Sequence, residues 1–237
     1  MVRRGAWCAA AAWALVLCGA ARAGTRPKDW TDAHYAKFTP AKFAGYRPAN
    51  QEINFKQVDD ELLSAAMFFE TNLRRIKHHR KPFRYSPALR RAAFGHAKDM
   101  VERDFHGHVN PDDPTRRTLA QRLARVGVRG GARSENVAYT PARRYPGIPG
   151  KPGEFRIDPS RPPRPHTYRS FARQVVDRWM ASPGHRRNIL SKATPYLGCG
   201  AFYCQKEALT SQGEVLKLDY FKSCQDFASR RGPAAKD

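Results

Sequence analysis

The sequence has few acidic residues relative to basic ones. Its 237 residues include 21 Asp and Glu against 43 Lys and Arg, so the formal net charge is +22 at pH 7. Such an excess predicts attraction to anionic partners, among them envelope polymers and lipids. The basic residues are spread along the chain without a nucleic-acid-binding motif and its interleaved aromatics. We therefore expect no specific readout of nucleic acid.

Long hydrophobic runs are also missing. The apolar run Ala9 to Leu17 is shorter than the ~20 residues of a membrane-spanning helix, and no later stretch is longer, so we expect no membrane span. Arg3 and Arg4 precede this run, and Ala21-Arg22-Ala23 follows it with small residues at two positions. This pattern predicts a signal peptide over 1–23, cleaved before Gly24, and a secreted or periplasmic protein. Loss of its three arginines lowers the net charge from +22 to +19.

Cysteine is scarce in the predicted mature chain. Two of the five cysteines leave with the signal peptide, and Cys199, Cys204 and Cys224 remain. Export permits a disulfide, and we expect Cys224 to pair with either Cys199 or Cys204. The sequence does not decide between these two partners. No nearby motif supplies a base, which argues against a catalytic cysteine.

The periodicity of apolar residues changes along the chain. Helical spacing, with charged or proline-capped starts, predicts four helices, over about 59–81, 87–100, 115–126 and 168–180. Two segments near the end, 198–204 and 216–221, have strand character. The combination predicts one mixed α/β domain.

Three segments flank or interrupt this domain. Residues 24–57 contain scattered aromatics without a clear period, and we expect either an arm wrapped over the domain or a loose tether. Residues 141–166 include eight prolines, which predicts a long exposed loop inserted in the domain. Residues 229–237 form a basic tail that we expect to fray.

Three stretches place ionisable side chains beside residues that restrict the backbone. They are Phe105 to Asp112, Ser134 to Ala138, and Trp179 to Leu190. His108, Glu135 and His185 are the candidates for chemistry within them. Neither histidine belongs to a closely spaced pair such as HExxH, so each stretch is a weak signal when taken alone.

Taken in order, these stretches resemble the CAP superfamily, which is also called the SCP domain. The resemblance includes Asn72-x-x-Arg75, His108 to Asp112, Glu135-Asn136, the intact Trp179 to Leu190 motif, and Gln225-x-Phe227. It covers about residues 58–228. It implies an α/β (α+β) fold, a three-layer α-β-α sandwich with a central antiparallel sheet.

The resemblance also implies an open cleft lined by two histidines and one or two glutamates. His108, Glu135 and His185 map onto these positions, and imidazoles with a nearby carboxylate are suitable ligands for zinc or another divalent metal. Ser182 stands where animal and plant members carry a second glutamate. With His106 and Asn136, Ser182 is expected at the periphery of the cleft. The 141–166 insertion could cover it.

Three functions agree with the sequence. The first is an exported CAP-domain protein that binds a divalent metal or small ligand in the cleft, with its basic surface against the cell envelope. The second is a metal-assisted hydrolase with Glu135 as the general base. The third is a secreted scaffold that binds a partner without using the cleft. The ligand, the metal and the oligomeric state stay open.

Overall fold

A computed structural model describes residues 30–148, 156–157, 161–209 and 215–233. The predicted signal peptide, 1–23, lies outside the described residues. The helices are α1 (His34–Lys37), α2 (Pro40–Ala44), a 3₁₀ turn (Pro48–Asn50), α3 (Asp60–Lys77), α4 (Pro87–Glu102), α5 (Leu119–Arg125), α6 (Tyr168–Ala181) and α7 (Pro183–Leu190). None of the described helices has the length and apolar character needed to cross a bilayer.

The main sheet has four strands, which are β1 (Arg84–Tyr85), β2 (Arg133–Pro141), β7 (Tyr196–Leu209) and β8 (Val215–Ala228). Their order across the sheet is β1-β7-β8-β2. β8 pairs antiparallel with β7 and β2, whereas the two residues of β1 pair parallel with β7. The predicted mixed α/β fold with a largely antiparallel central sheet is confirmed. Both final strands are longer than the sequence pattern indicated.

Helices cover both faces of this sheet and so complete the three-layer sandwich. Alternate residues of a strand point to opposite faces. On one face, Leu197 and Cys199 join the large core formed with α3 and α6. On the other face, Cys224 packs against Ala93 and Ala97 of α4. The α4/α5 layer and the α3/α6 layer therefore have separate cores.

Side-chain caps fix the starts of the main helices. Asp59 accepts a hydrogen bond from the Leu62 amide at 2.9 Å, and Ser86 accepts one from the Leu89 amide at 3.1 Å. The predicted start of α5 near residue 115 is wrong. Thr118 and Gln121 form a reciprocal capping box, so the helix begins at Leu119.

The segments around the domain are packed where the structure describes them. Trp30, Phe43 and Ile53 are buried in the same core as α3. At the other end, residues 229–233 are held to the domain, because the Ser86 hydroxyl donates to the Arg231 carbonyl. These five tail residues are therefore anchored, in contrast to the fraying expected for 229–237.

The 141–166 insertion is organised in part. β3 (Arg143–Arg144) pairs with β6 (Arg164–Pro165), and β4 (Gly147–Ile148) pairs with β5 (Arg156–Ile157), both antiparallel. Residues 149–155 and 158–160 lie outside the described part of the chain. The expected single long loop is thus replaced, over its described residues, by two short ladders.

The expected disulfide is absent, since none of Cys199, Cys204 and Cys224 is disulfide-bonded. Strand register gives the reason. Cys224 lies opposite Gly200, so the neighbouring Cys199 points to the other face of the sheet. Cys204 lies opposite Tyr220, four residues along β8 from Cys224, which is about 13 Å at the rise of a strand. Neither arrangement suits a disulfide.

The close approach of α4 to β7 generates a stability prediction. A Cβ atom at Gly200 would lie 2.3 Å from backbone atoms of Phe94, whereas one at Gly95, on α4 itself, would meet nothing within 4 Å. We expect Gly200→Ala to lower the free energy of unfolding by about 3 kcal/mol, because the backbone of a packed helix must shift. Gly95→Ala is the control and should raise it by up to about 1 kcal/mol. Urea unfolding of both variants measures the difference, and equal effects would contradict this account of the packing.

Candidate functional site

A buried ion pair lies at the centre of the candidate site. Arg122 on α5 donates from Nη2 to Glu135 Oε2 on β2 at 2.6 Å, and both side chains are 3% exposed. The same guanidinium donates to the carbonyl of His108 at 3.2 Å. Arg122 therefore connects the strand that carries Glu135 to the loop that carries His108.

His108 is the exposed partner of Glu135. Its Nδ1 lies 2.8 Å from Glu135 Oε1, and its side chain is 55% exposed. The hydrogen bond to Glu135 outweighs burial and raises the pKa of His108 above its ordinary value. Since a carboxylate only accepts, Nδ1 carries the proton in this contact, which leaves Nε2 directed away from Glu135. Among the described residues, Nε2 has no hydrogen-bond partner.

Glu135 is held as an ionised group. Burial alone would raise its pKa, but the hydrogen bond from His108 and the charge and hydrogen bond of Arg122 oppose that effect, and the pKa is lowered. Both carboxylate oxygens already accept hydrogen bonds, one from His108 and one from Arg122. The arrangement suits a group that positions His108.

A chain of amides, buried at Asn136 and Gln225 and half-buried at Asn188, places His185 beside the same strand. Asn136, next to Glu135, donates to the His185 carbonyl at 3.3 Å and to Gln225 Oε1 at 3.1 Å. Asn188 donates to Asn136 Oδ1 at 2.8 Å and to the Glu135 carbonyl at 3.2 Å. These contacts bind α7 to β2 through backbone atoms of both site residues. The ring of His185 has no hydrogen-bond partner within the described structure.

The far end of α7 is anchored by the Asn72-x-x-Arg75 motif. Arg75 donates to the carbonyls of Ile189 at 2.6 Å and Ser191 at 2.9 Å. Asn72 forms hydrogen bonds to both backbone polar groups of Phe83. The motif is structural, because it fixes the helix that carries His185 without contacting the site.

Positive charge surrounds the histidines. Burial and the charges of Lys222 and Arg178 lower the pKa of His106, while burial and the charges of His108 and Arg178 lower the pKa of His185. Lys222 is itself buried and donates to the carbonyls of Met100 at 2.6 Å and Phe105 at 2.9 Å. At neutral pH this side of the site is a cationic environment with neutral imidazoles.

Beneath Glu135 lies a second, fully buried group. Glu135, Cys224 and Asp226 place one ligand atom each within 4.8 Å of one another, so the set could hold a metal ion. Burial and the charge of Glu135 raise the pKa of Asp226, and burial together with the charge of Asp226 raises the pKa of Cys224. A metal needs deprotonated ligands, so these shifts favour bound protons over a metal.

Comparison with known proteins identifies the family. The family model "CAP: Cysteine-rich secretory protein family" matches residues 68–220. The chain belongs to the CAP family. The predicted resemblance is confirmed over more than half of the sequence.

Two solved structures are similar to this CAP protein. One is an extracellular protein containing an SCP domain from Bacillus anthracis, with 22% identity, a TM-score of 0.45, and coverage of 72% of this chain and 41% of that chain. The other is an outer surface protein from Borrelia burgdorferi, with 16% identity, a TM-score of 0.45, and coverage of 76% of this chain and 98% of that chain. The chain thus spans less than half of the Bacillus protein. No curated protein sequence matches it.

The predicted cleft residues of the CAP domain are only partly brought together. His108 and Glu135 are in direct contact, and Asn136 reaches the backbone of His185. In the part of the chain that the structure describes, the ring nitrogens of His108 and His185 and a carboxylate oxygen of Glu135 do not all lie within 4.8 Å of one another. Ser182 is the N-cap residue of α7, but its side chain makes no capping hydrogen bond. The described residues therefore do not bring His108, Glu135 and His185 together as three ligands of one ion.

Sequence reasoning missed Arg122, Asp226 and the contact of His96 with the site. His96 bonds the Gly107 carbonyl at 2.9 Å, as expected of a core histidine, but its Nε2 also lies 3.9 Å from Glu135 Oε1. Arg122 falls within the apolar stripe of α5, between Leu119 and Leu123. A charged residue on an apolar stripe was the signal that could have identified it.

The ion pair predicts a large penalty for removing one partner. Arg122→Met should lower the free energy of unfolding by about 3–5 kcal/mol, because Glu135 would stay buried without its counterion. Arg125→Met, on the exposed face of α5, is the control and should change it by less than about 0.5 kcal/mol. The double variant Arg122→Met/Glu135→Gln should recover part of the loss. Urea unfolding measures all three, and equal values for Arg122 and Arg125 would refute the role given to the pair.

Burial of His96 predicts a dependence of stability on pH. Burial lowers the pKa of His96 from 6.5 to about 4, because desolvation disfavours the charged ring. Between these two pH values, the histidine is protonated in the unfolded chain and neutral in the folded protein. Stability should therefore fall as pH drops from about 6.5 towards 4, by up to about 1.4 kcal/mol per pH unit for this one group.

Urea unfolding from pH 7 to pH 5 tests this dependence. His96→Gln should flatten the slope by the contribution of one proton, while the exposed control His78→Gln should keep the wild-type slope. Parallel curves for wild type and His96→Gln would contradict the prediction.

Proposed function

We propose that this CAP protein is exported and binds a small ligand, with a divalent metal such as zinc as the simplest one, between His108 and His185. The observation that carries the proposal is the hydrogen-bonded pair of His108 Nδ1 and Glu135 Oε1, 2.8 Å apart. This hydrogen bond fixes Nδ1 of the exposed His108 and leaves Nε2 available to a ligand.

The residues fit a metal if Glu135 is a positioning residue. Metal-binding histidines commonly donate their second ring N–H to a carboxylate, which fixes the tautomer and increases the basicity of the ligating nitrogen. Glu135 stands in this relation to His108. His108 Nε2 and the neutral ring of His185 would hold the ion, which would supply Lewis acidity when bound. With two protein ligands, binding would be weak and open to a further ligand.

The surroundings favour an anion as that further ligand. The charge of Arg178 lowers the pKa values of His185 and His106, and the charge of Lys222 lowers that of His106. The expected net charge of +19 after signal cleavage supports attraction of the whole protein to an anionic envelope polymer or lipid surface. The signal pattern of residues 1–23 supports a secreted or periplasmic location.

The hydrolase alternative gains no support from the geometry. A general base works best with a pKa near the operating pH and with a lone pair directed at the reacting proton. The pKa of Glu135 is lowered, and its two oxygens accept from His108 and Arg122. We therefore place binding ahead of catalysis. If the protein binds no metal at His108 and His185, the remaining function is a scaffold that binds a partner through another surface.

Zinc titration by calorimetry tests the metal site directly. The protein purified after export should bind one zinc ion, and both His108→Ala and His185→Ala should abolish the heat of binding. His78→Ala, an exposed histidine on another surface, is the matched control and should bind as wild type. A folded wild-type protein without zinc binding would sink the proposal in favour of the scaffold.

The positioning role of Glu135 makes a separate prediction. Glu135→Gln keeps an oxygen acceptor but removes the charge, so zinc affinity should fall roughly 10–100-fold without being abolished. Complete loss, equal to that of His108→Ala, would instead make Glu135 a ligand. Thermal unfolding of the variant, measured beside the titration, confirms that the comparison is between folded proteins.

A further inference from the structure

A cavity lies at the opposite edge of the main sheet from the candidate site. It has a volume of about 490 Å³ and lies against β1, whereas Glu135 lies on β2, at the other end of the strand order. Its walls come from the N-terminal segment, α3, β1, the start of β7 and the tail. The volume is in the range of sites for small molecules.

Seven of the 15 residues that line the cavity are aromatic. Tyr35, Phe68, Phe83, Tyr85 and Tyr196 all line it. Tyr35 stacks on Tyr85 with ring centroids 3.5 Å apart and meets Phe68 edge-on at 5.2 Å. Such walls are fixed by contacts with one another, so the cavity is preformed. They favour a flat aromatic guest, which gains from offset or edge contacts beyond the area it buries.

The rim of the cavity carries two unpaired positive charges. Arg84 and Arg231 line it, and neither forms an ion pair with any described residue. The guanidinium of Arg84 lies 4.3 Å from the ring centroid of Tyr196, at the wall of the cavity. The lining also contains one acid, the exposed carboxylate of Asp32, which accepts a hydrogen bond from the Tyr85 hydroxyl. Two arginines against one carboxylate leave the lining with a net positive charge.

We propose that this cavity binds a small aromatic anion, with its ring among the tyrosines and phenylalanines and its acidic group at Arg84 and Arg231. The site is independent of the His108/Glu135 cleft and shares no lining residue with it. It also gives a role to the N-terminal segment, since Asp32, Tyr35 and Ala36 form one of its walls. Without that segment the cavity would be an open face of α3 and β1.

Two fluorescent probes that share a ring system separate the ring contribution from the charge contribution. 8-Anilino-1-naphthalenesulfonate carries one sulfonate, and N-phenyl-1-naphthylamine has the same aromatic skeleton without it. The protein purified after export should bind the sulfonate saturably and the neutral probe at least tenfold more weakly. Equal affinity for the two probes would overturn the assignment of an anion.

Variants place the binding at the cavity. Ala36 is exposed and lines it, so Ala36→Trp fills the space without disturbing the core and should abolish binding of both probes. Ala41→Trp is the matched control, on an exposed position of α2 outside the lining, and should bind as wild type. Unchanged binding in Ala36→Trp would overturn the site.

Arginine variants test the rim. Arg84→Gln should weaken the sulfonate probe roughly tenfold, because a charge-assisted hydrogen bond is lost, and should leave the neutral probe unchanged. Arg117→Gln removes an exposed charge in the loop between α4 and α5, outside the lining, and controls for the general attraction of a basic protein to an anion. An effect of Arg84→Gln no larger than that of Arg117→Gln would overturn the role of the rim.

Discussion

The buried contact between Arg122 and Glu135 is the interaction on which the candidate site depends. Two opposite charges with 3% exposure must be paired, because either one alone would be costly to bury. The pairing brings α5 against β2 and, through the His108 carbonyl, fixes the loop between α4 and α5. One guanidinium thus determines where the exposed histidine stands.

The opposite side of the site depends on neutral contacts. Asn136 and Asn188 bind α7 to β2, and Arg75 holds the last carbonyls of the same helix. His185 is therefore carried by an element fixed at both ends, while its ring makes no hydrogen bond within the described structure that would commit it to a structural role. A rigid support with an uncommitted side chain is typical of residues kept for a ligand.

Much of this architecture could be predicted from the sequence. The periodic helices, their proline-linked starts and the ordered CAP motifs indicated the fold and the candidate residues His108, Glu135 and His185. The prediction of a disulfide was wrong because cysteine spacing does not reveal which face of a strand each thiol occupies. Arg122 was missed because its partner lies on a different element, and pattern reasoning treats an arginine as solvated. The role of Glu135 needed distances, since a ligand and a positioning carboxylate look alike in sequence.

The central claim is that Glu135 holds His108 through Nδ1 and leaves Nε2 for the ligand. Long-range ¹H–¹⁵N spectra of the imidazole of His108, recorded with and without zinc, test it most directly. The account predicts a protonated Nδ1 in both spectra, with the larger zinc-induced shift at Nε2. Zinc binding at Nδ1, with loss of the contact to Glu135, would contradict it.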